Sequence, residues 1–468
     1  MEKEKTEALT DENVRRLFAQ SADFSVRSVA IGNHTLQVYF IDGLTSGNAI
    51  SEYVVLPIRA LLRGENPKQL YESALHGDIV NAVAKPCQTV CNAANFLLNG
   101  FCVVLFEDAG ALAFEVKTGE KRGIAPPELE RTAKGAKDAF VETNRTNTSL
   151  VRRHLRSSAL NIFETTVGTV TKTNVSVLWL EGAAEPDVVR KIQTRLCTMD
   201  TESFLSPAEV EELLSGSRAT AFPMLQYTER TDRFCSELIR GRVGLFVDGI
   251  PVGYMLPVTM GTLMQSQEDM EKDYVSASCV RVLRFGALFF SLLLPALYIA
   301  MATYHQELIP LPLLRAVIES KQSVPFSTVL EVIGLLAAFE LLQESGIHLP
   351  QAIGQSVSII GGIVVGTAAV EASLISPAAL IAVSIAGVCG FVLPNRDFAD
   401  GIRIWRLGLS VLAAMGGLFG VTVGFLMLLI HLSSLDSLGE PYLAPYVQMK
   451  DVSILRNRLV IRKEKEKG

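Results

Sequence analysis

Four carboxylates sit in stretches that are otherwise almost free of charge: Glu331, Glu340, Glu344 and Glu371. A carboxylate in the middle of a bilayer costs about 2.5–3.5 kcal/mol on insertion scales, so such a group turns to protein, water or the headgroup boundary and is a default functional candidate. Glu340 and Glu344 form an i, i+4 pair and share one helical face. That face is expected to meet protein, headgroups or an aqueous vestibule. A second pattern follows at about 100° per residue: Gln351, Gln355, Ser358, Gly362, Gly366, Ala369 and Ser373 fall on one side of a helix, and all are small or polar. Two chemistries fit. One is a water-lined path for ions. The other is close helix packing through Gly354, Ser358, Gly362 and Gly366. Gln355, Ser358, Gly362 and Gly366 are therefore candidate pore-lining residues. Ile359, with Val357, is a candidate for an apolar constriction that dewets a closed pore.

Little else in the chain points to chemistry. The seven cysteines are Cys87, Cys91, Cys102, Cys197, Cys235, Cys279 and Cys389. Cys87 and Cys91 have C-x3-C spacing, but no second Cys or His pair lies near them, so buried reduced thiols are expected rather than a metal site. The six histidines are scattered, and no phosphate-binding loop, zinc-protease motif, nucleophile elbow or dinucleotide fingerprint occurs. No catalytic, cofactor or metal residue is nominated, and a non-enzyme is expected. A formal charge of −6 argues against nucleic acid, whose phosphates require a basic surface. Arg145, Arg152, Arg153 and Arg156 form a local basic cluster with two readings: contact with anionic headgroups or an acidic partner, or else a solvated helix face or intersubunit salt bridges.

The elements that must carry the carboxylates and the small, polar face are apolar. Hydrophobic residues make up 49% of the chain and charged residues 20%, with mean hydropathy +0.30. Charge nearly vanishes from about 285 to 432. Phe285–Thr303 has the length that crosses a hydrocarbon core. Phe326–Leu342 is weaker, because it holds Glu331 and Glu340. Ala352–Leu374, Ser376–Leu393 and Leu407–Leu432 follow, which predicts four or five membrane helices. Arg281 and Arg284 ahead of the first span place the N-terminal half in the cytoplasm. The side of the C-terminal tail stays open. Its own basic residues (Lys450, Arg456, Arg458, Arg462, Lys463) favour the inside, whereas Arg396, Arg403 and Arg406 favour the inside for the loop before the last span. The opening residues, MEKEKTEALTDENVRR, contain no apolar leader run.

The region before 280 alternates strands and helices. Ser25–Ile31 and Thr35–Ile41 read as strands, and a hairpin spans Gly100–Val116. The order recurs at Val175–Leu180 and in a hairpin across Leu238–Pro257, offset by about 139 residues for the first strands and about 141 for the hairpins. Leu97–Leu105 (LLNGFCVVL) matches Leu238–Phe246 (LIRGRVGLF), with Phe106 and Phe246 expected in equivalent strands. The expected class is α+β. A polar tail covers 1–21, an α/β subdomain 22–125, a charged helical linker 126–159 and a related α/β subdomain 160–280. A helical membrane domain covers 281–432 and a basic tail 433–468.

Several runs resemble the A subunit of the GerA family of spore germinant receptors: His305–Pro310 (HQELIP), Val324-Pro325-Phe326, Phe339–Pro350, Ile353–Gly366, Ala368–Ser376, Leu429–Ser434 (LIHLSS) and Pro441–Pro445. So do Phe140–Arg153, Arg240–Pro257 and Gln265–Tyr274 in the first half. Glu229-Arg230-Thr231-Asp232 departs from the family's Glu-Arg-Pro-Asp, which puts the turn there in question. The resemblance implies a multi-pass protein of the spore inner membrane with no cofactor. It also implies a transporter-like B subunit and a lipoprotein C subunit as partners. Homo-oligomers would form a channel that releases monovalent cations at germination. The alternatives are a stage V sporulation A-subunit-like protein, a membrane-anchored scaffold and a secondary transporter. A transporter usually has about ten or more spans, often built as inverted repeats.

Overall fold

The structure is a computed structural model. It describes residues 8–446 apart from 32–33, 62–66, 77–82, 107–108, 118–126, 128–129, 131–134, 205, 216–219, 267, 349–363 and 445. Contacts divide the chain into two units, Met1–Gly216 with Leu225–Pro257, and Ser217–Met224 with Val258–Gly468. The change of unit falls after Pro257, ahead of the position near 280 expected from charge. The reason is burial: Val258, Leu263 and Met264 belong to the core of the second unit.

The first unit holds two five-stranded antiparallel sheets. One has the order β1-β2-β4-β5-β3 and the other β6-β7-β9-β10-β8. In the first, β1 is Phe24–Ile31, β2 His34–Ile41, β3 Ala84–Cys87, β4 Phe101–Phe106 and β5 Gly110–Glu115. In the second, β6 is Leu160–Val167, β7 Thr173–Leu180, β8 Gln226–Thr228, β9 Val243–Val247 and β10 Gly253–Leu256. β2 is rich in β-branched and aromatic residues and is covered on both faces: Leu36 and Val38 enter one core, Tyr39 and Ile41 another. The sheets share register as well as order. Gln37, Val38 and Tyr39 pair with Leu105, Val104 and Val103. Ser176, Val177 and Leu178 pair in the same sense with Phe246, Leu245 and Gly244. Phe246 therefore matches Leu105, as in the alignment of 97–105 with 238–246, and Phe106 lies in the strand equivalent to that of Phe246, as expected. A helix precedes the third strand of each sheet: α1 (Val90–Leu98) and, after α2 (Asn144–His154) between the sheets, α3 (Thr231–Ile239). Gly100 and Gly241 end α1 and α3 with φ of 80° and 90°, the left-handed turn that lets a chain leave a helix and enter a strand.

The basic cluster is largely structural. Arg152, on α2, is buried and makes a bidentate pair with Asp23, Nε to Oδ2 and Nη2 to Oδ1, both at 2.8 Å. It also donates to the Ser21 hydroxyl at 3.1 Å. Asp23 leads into β1, and Ser21 bridges to Ile162 of β6, so one guanidinium fastens both sheets to α2. Arg145 pairs with Asp42 and Glu164, and Arg156 bonds Asn99. For Arg152 the headgroup reading fails, because a buried, doubly bonded guanidinium has no face left for lipid. The Glu229–Asp232 turn is likewise held by an ion pair, Arg230 to Asp232 at 2.5 Å. Arg230 is itself buried.

The second unit is helical. α4 spans Tyr274–Thr303, α5 Leu311–Lys321, α6 Thr328–His348, α7 Pro377–Phe391 and α8 Arg396–Ser434. By length and composition, α4 and α8 suffice to cross a membrane. α4 buries Leu288, Leu292, Ala296 and Ile299 and leaves Val282, Leu283, Phe289 and Phe290 at least half exposed. A helix apolar on its outer face suits lipid rather than water. α4 and α7 run in opposite directions, with Tyr298 beside Ser376 and Ser291 beside Gly390. α6 and α7 run the same way: Glu331 meets Ser376 at their starts, and Phe339 lies against Gly387 further along.

The stretch Leu407–Leu432, expected as one long span, is a helical hairpin. α8 has 39 residues but breaks at Gly416 (φ −136°, ψ 15°) and Gly417 (φ 58°, ψ −137°). Beyond the break the chain doubles back. A side-chain carbon on Gly420 would lie 2.0 Å from the carbonyl oxygen of Leu412, and one on Gly424 would touch Leu409 and Leu412. The Trp405 and His431 rings are 5.6 Å apart. Straight, 39 residues would run about 58 Å, far beyond a hydrocarbon core of about 30 Å. Folded, the limbs 396–415 and 418–434 each match that core. Hydropathy does not register a reversal, since the chain is apolar from Leu407 through the tip to Ile430.

Candidate functional site in the helical unit

Glu331 lies in the first turn of α6 with its side chain fully buried. Its Oε2 accepts hydrogen bonds from the Ser376 backbone N–H at 3.1 Å and from the Ser376 hydroxyl at 2.7 Å. Ser376 caps the N-terminus of α7. Glu331 Oε1 stands 3.7 Å from Lys321 Nζ at the end of α5 and accepts no hydrogen bond. The Lys321 ammonium donates to the Thr328 hydroxyl. Tyr298, from α4, adjoins Ser376 and Glu331, and its shielded hydroxyl has no well-formed hydrogen bond. α4, α5, α6 and α7 thus converge on one carboxylate. Burial of the charge is offset by the ammonium and the two hydrogen bonds.

A second carboxylate, Glu340, holds the first limb of α8. Its oxygens take Arg406 Nη2 at 2.8 Å and Arg403 Nε at 3.4 Å. Arg403 reaches Asp400 at 2.8 Å and Gln343. Arg406 is buried. Glu340 therefore meets protein, whereas Glu344 and Glu371 lie exposed on their helices. Gly366 is half-buried, and a side-chain carbon there would sit 3.7 Å from Leu380 Cδ2 of α7, an ordinary contact. Gln355, Ser358, Ile359 and Gly362 lie outside the described residues.

The arginines expected to flank the spans turn inward. Arg281 and Arg284 both reach Oδ2 of Asp269, at 3.1 and 2.7 Å, and Asp269 is fully buried. With Arg403 and Arg406 they are ion-pair members and not free juxtamembrane charges, which weakens any topology argument from counting them.

One more contact ties an outlying segment to these helices. Residues 217–224 interrupt the first unit in sequence yet pack with the second. Thr220 bonds the His431 ring at 3.1 Å. The buried Phe222 ring lies among Phe398, His431 and Tyr442. In the first unit, burial pushes the Cys87 thiol up to about 12, so it is not a thiolate at neutral pH. Among the described residues no cluster of three metal-ligating side chains occurs.

A family model described as Bacillus/Clostridium GerA spore germination protein matches residues 12–467. The chain belongs to the GerA family. Its relatives include the uncharacterized membrane protein YfkQ of Bacillus subtilis (strain 168), 34% identical over 92% of this chain and 84% of that one. Spore germination proteins A1 and KA of the same strain are 32% and 31% identical, over 90% and 91% of this chain and 86% and 79% of theirs. The crystal structure of the N-terminal domain of the A subunit of the Bacillus megaterium spore germinant receptor GerK3 is 26% identical. It matches with a TM-score of 0.42, covering 54% of this chain and 95% of that one.

Sequence reading of this GerA chain nominated the carboxylates but missed what holds them. Lys321, Tyr298 and Ser376 around Glu331, and Arg403 and Arg406 around Glu340, carry no local signal, because Ser376 is 45 residues from Glu331 and Arg406 is 66 from Glu340. The i, i+3 spacing of Arg403 and Arg406 in an apolar run was the one available clue, since two arginines on one helical face need a common acid.

Proposed function

We propose that this chain is the A subunit of a nutrient germinant receptor in the spore inner membrane. Several copies would form an ion channel that releases monovalent cations to start germination, in company with a transporter-like B subunit and a lipoprotein C subunit. The observation that carries this reading is the GerA family match from residue 12 to 467, together with relatives that are spore germination proteins. The helical unit supports it. The ionic groups Glu331, Glu340, Arg281, Arg284 and Arg406 are taken up in ion pairs inside the unit, as a membrane-embedded bundle requires. α6 and α7 run in the same direction, and we read the connection between them as one further crossing. That connection holds the small, polar face of Gln355, Ser358, Gly362 and Gly366, which we assign to the conduction path.

Two tests follow. The full chain, reconstituted in liposomes with its B and C subunits, is expected to pass potassium when nutrient is added. Absence of flux in every combination would overturn the channel and leave the family. Single cysteines at 355, 358 and 362 should react with a water-soluble thiol reagent during germination. Protection at all three would move the path elsewhere.

The same geometry supports one reading of the parity left open by the charges. α4, α6, the return connection, α7 and the two limbs of α8 make an even number of crossings. The C-terminal tail is then on the side of the N-terminal unit, the cytoplasm. An epitope placed after Gly468 should resist protease added to intact cells and be cut after permeabilisation. Cleavage in intact cells would contradict the even count.

A further inference from the structure

We propose that Glu331 is the anionic ligand of a monovalent-cation site inside the helix bundle, and that Lys321 occupies this site as a tethered substitute for the ion. The carboxylate is pinned. Oε2 accepts both bonds from Ser376, so the group cannot rotate to satisfy Oε1, which accepts none. The shielded hydroxyl of Tyr298 adjoins Ser376 and has no well-formed hydrogen bond, and the Ser376 hydroxyl, which donates to Glu331 and accepts the cap bond from the Ala379 N–H at 3.4 Å, keeps one lone pair. A carboxylate, a phenol and an alcohol with unused lone pairs thus meet in one place. Oxygen donors of this kind suit hard cations.

The ammonium of Lys321 neutralises the carboxylate without ligating it. At 3.7 Å it is within ion-pair range but beyond a hydrogen bond, and it donates instead to Thr328. Exposure makes the exchange one-sided. The Lys321 side chain is 30% exposed and that of Glu331 0%, so the cation can swing away on its flexible stem while the anion stays. When Lys321 leaves, one alkali ion restores charge balance. A divalent ion would leave an uncompensated buried charge, so the site selects single charge. Because the ligands come from α4, α6 and the cap of α7, exchange of the ammonium for an ion alters how these helices are joined. The inference does not depend on the channel reading, since the site uses none of the residues assigned to the conduction path.

The test compares potassium chloride with choline chloride at equal ionic strength, using the full chain in lipid nanodiscs. Labelling of Lys321 by an amine-acylating reagent, read by mass spectrometry, is expected to rise several-fold in potassium, because the ammonium is displaced. Equal labelling in the two salts overturns the proposal, whatever the variants below do. Lys321→Met leaves the site open, and its melting temperature should rise by about 2–4 °C in potassium relative to choline. Adding Glu331→Gln, which can still accept from Ser376, should abolish that rise. A rise that survives Glu331→Gln places the ion elsewhere and also overturns the assignment.

Discussion

Arg152→Ala is expected to remove a large share of the first unit's stability. The pair it makes with Asp23 is bidentate, with both side chains almost wholly removed from solvent (1% and 2% exposed). Removing one member of such a pair leaves a buried charge without compensation and costs about 3–5 kcal/mol, against a total of about 5–15 kcal/mol for a typical domain. Asp23→Ala should cost the same amount from the other side. Arg152→Met with Asp23→Leu removes both charges and is expected to recover a large part of the loss, because burial without charge carries no such penalty. Urea denaturation of the four proteins, followed by tryptophan fluorescence, closes a double-mutant cycle. Single variants as stable as the parent would show that the pair holds nothing together.

Gly420→Ala is expected to disrupt the α8 hairpin. The new methyl would stand 2.0 Å from the Leu412 carbonyl oxygen. That atom belongs to the backbone of the opposing limb and has no rotamer to escape into. Overpacking costs about 1–3 kcal/mol where side chains can adjust, and here the limbs themselves have to part, so the effect lies at the top of that range. Gly408→Ala, on the same helix, meets nothing within 4 Å and should be neutral. Membrane-fraction level and elution volume in detergent are the readouts. A Gly420→Ala protein that behaves like Gly408→Ala would mean the two limbs are not in contact at Leu412.

These two sites differ in how far they were legible beforehand. The duplicated sheets were readable because the signals are local: runs of β-branched and aromatic residues in β2 and β7, and a glycine ahead of each hairpin at Gly100 and Gly241. The alignment of 97–105 with 238–246 carried through to the register, in which Leu105 pairs with Gln37 and Phe246 with Ser176. The α8 reversal was not readable. Gly416-Gly417 looks like the other small-residue pairs of an apolar helix, and only the packing of Gly420 against Leu412 distinguishes a turn from a span. The carboxylates were visible as anomalies of composition. Their neighbours were not, since an ion pair such as Glu340 with Arg406 depends on how two distant helices are placed. Arg152 looked like one of four surface arginines for the same reason: its acid, Asp23, lies 129 residues earlier.

The path of the chain through residues 217–224 has a consequence for anyone building hybrids from two members of the family. A splice after Pro257 looks natural, because the long helices all lie beyond it. It would nevertheless divide the interior of the helical unit between two parents. Phe222 would come from one, and Phe398, Gly401, His431 and Tyr442, which surround it, from the other. A graft that begins at Val258 and supplies no such ring leaves a hole the size of a phenylalanine side chain, a loss of about 3–5 kcal/mol. The exchangeable piece is therefore discontinuous. It consists of the helices and the eight-residue insert together, and hybrids should be cut on both sides of Ser217–Met224.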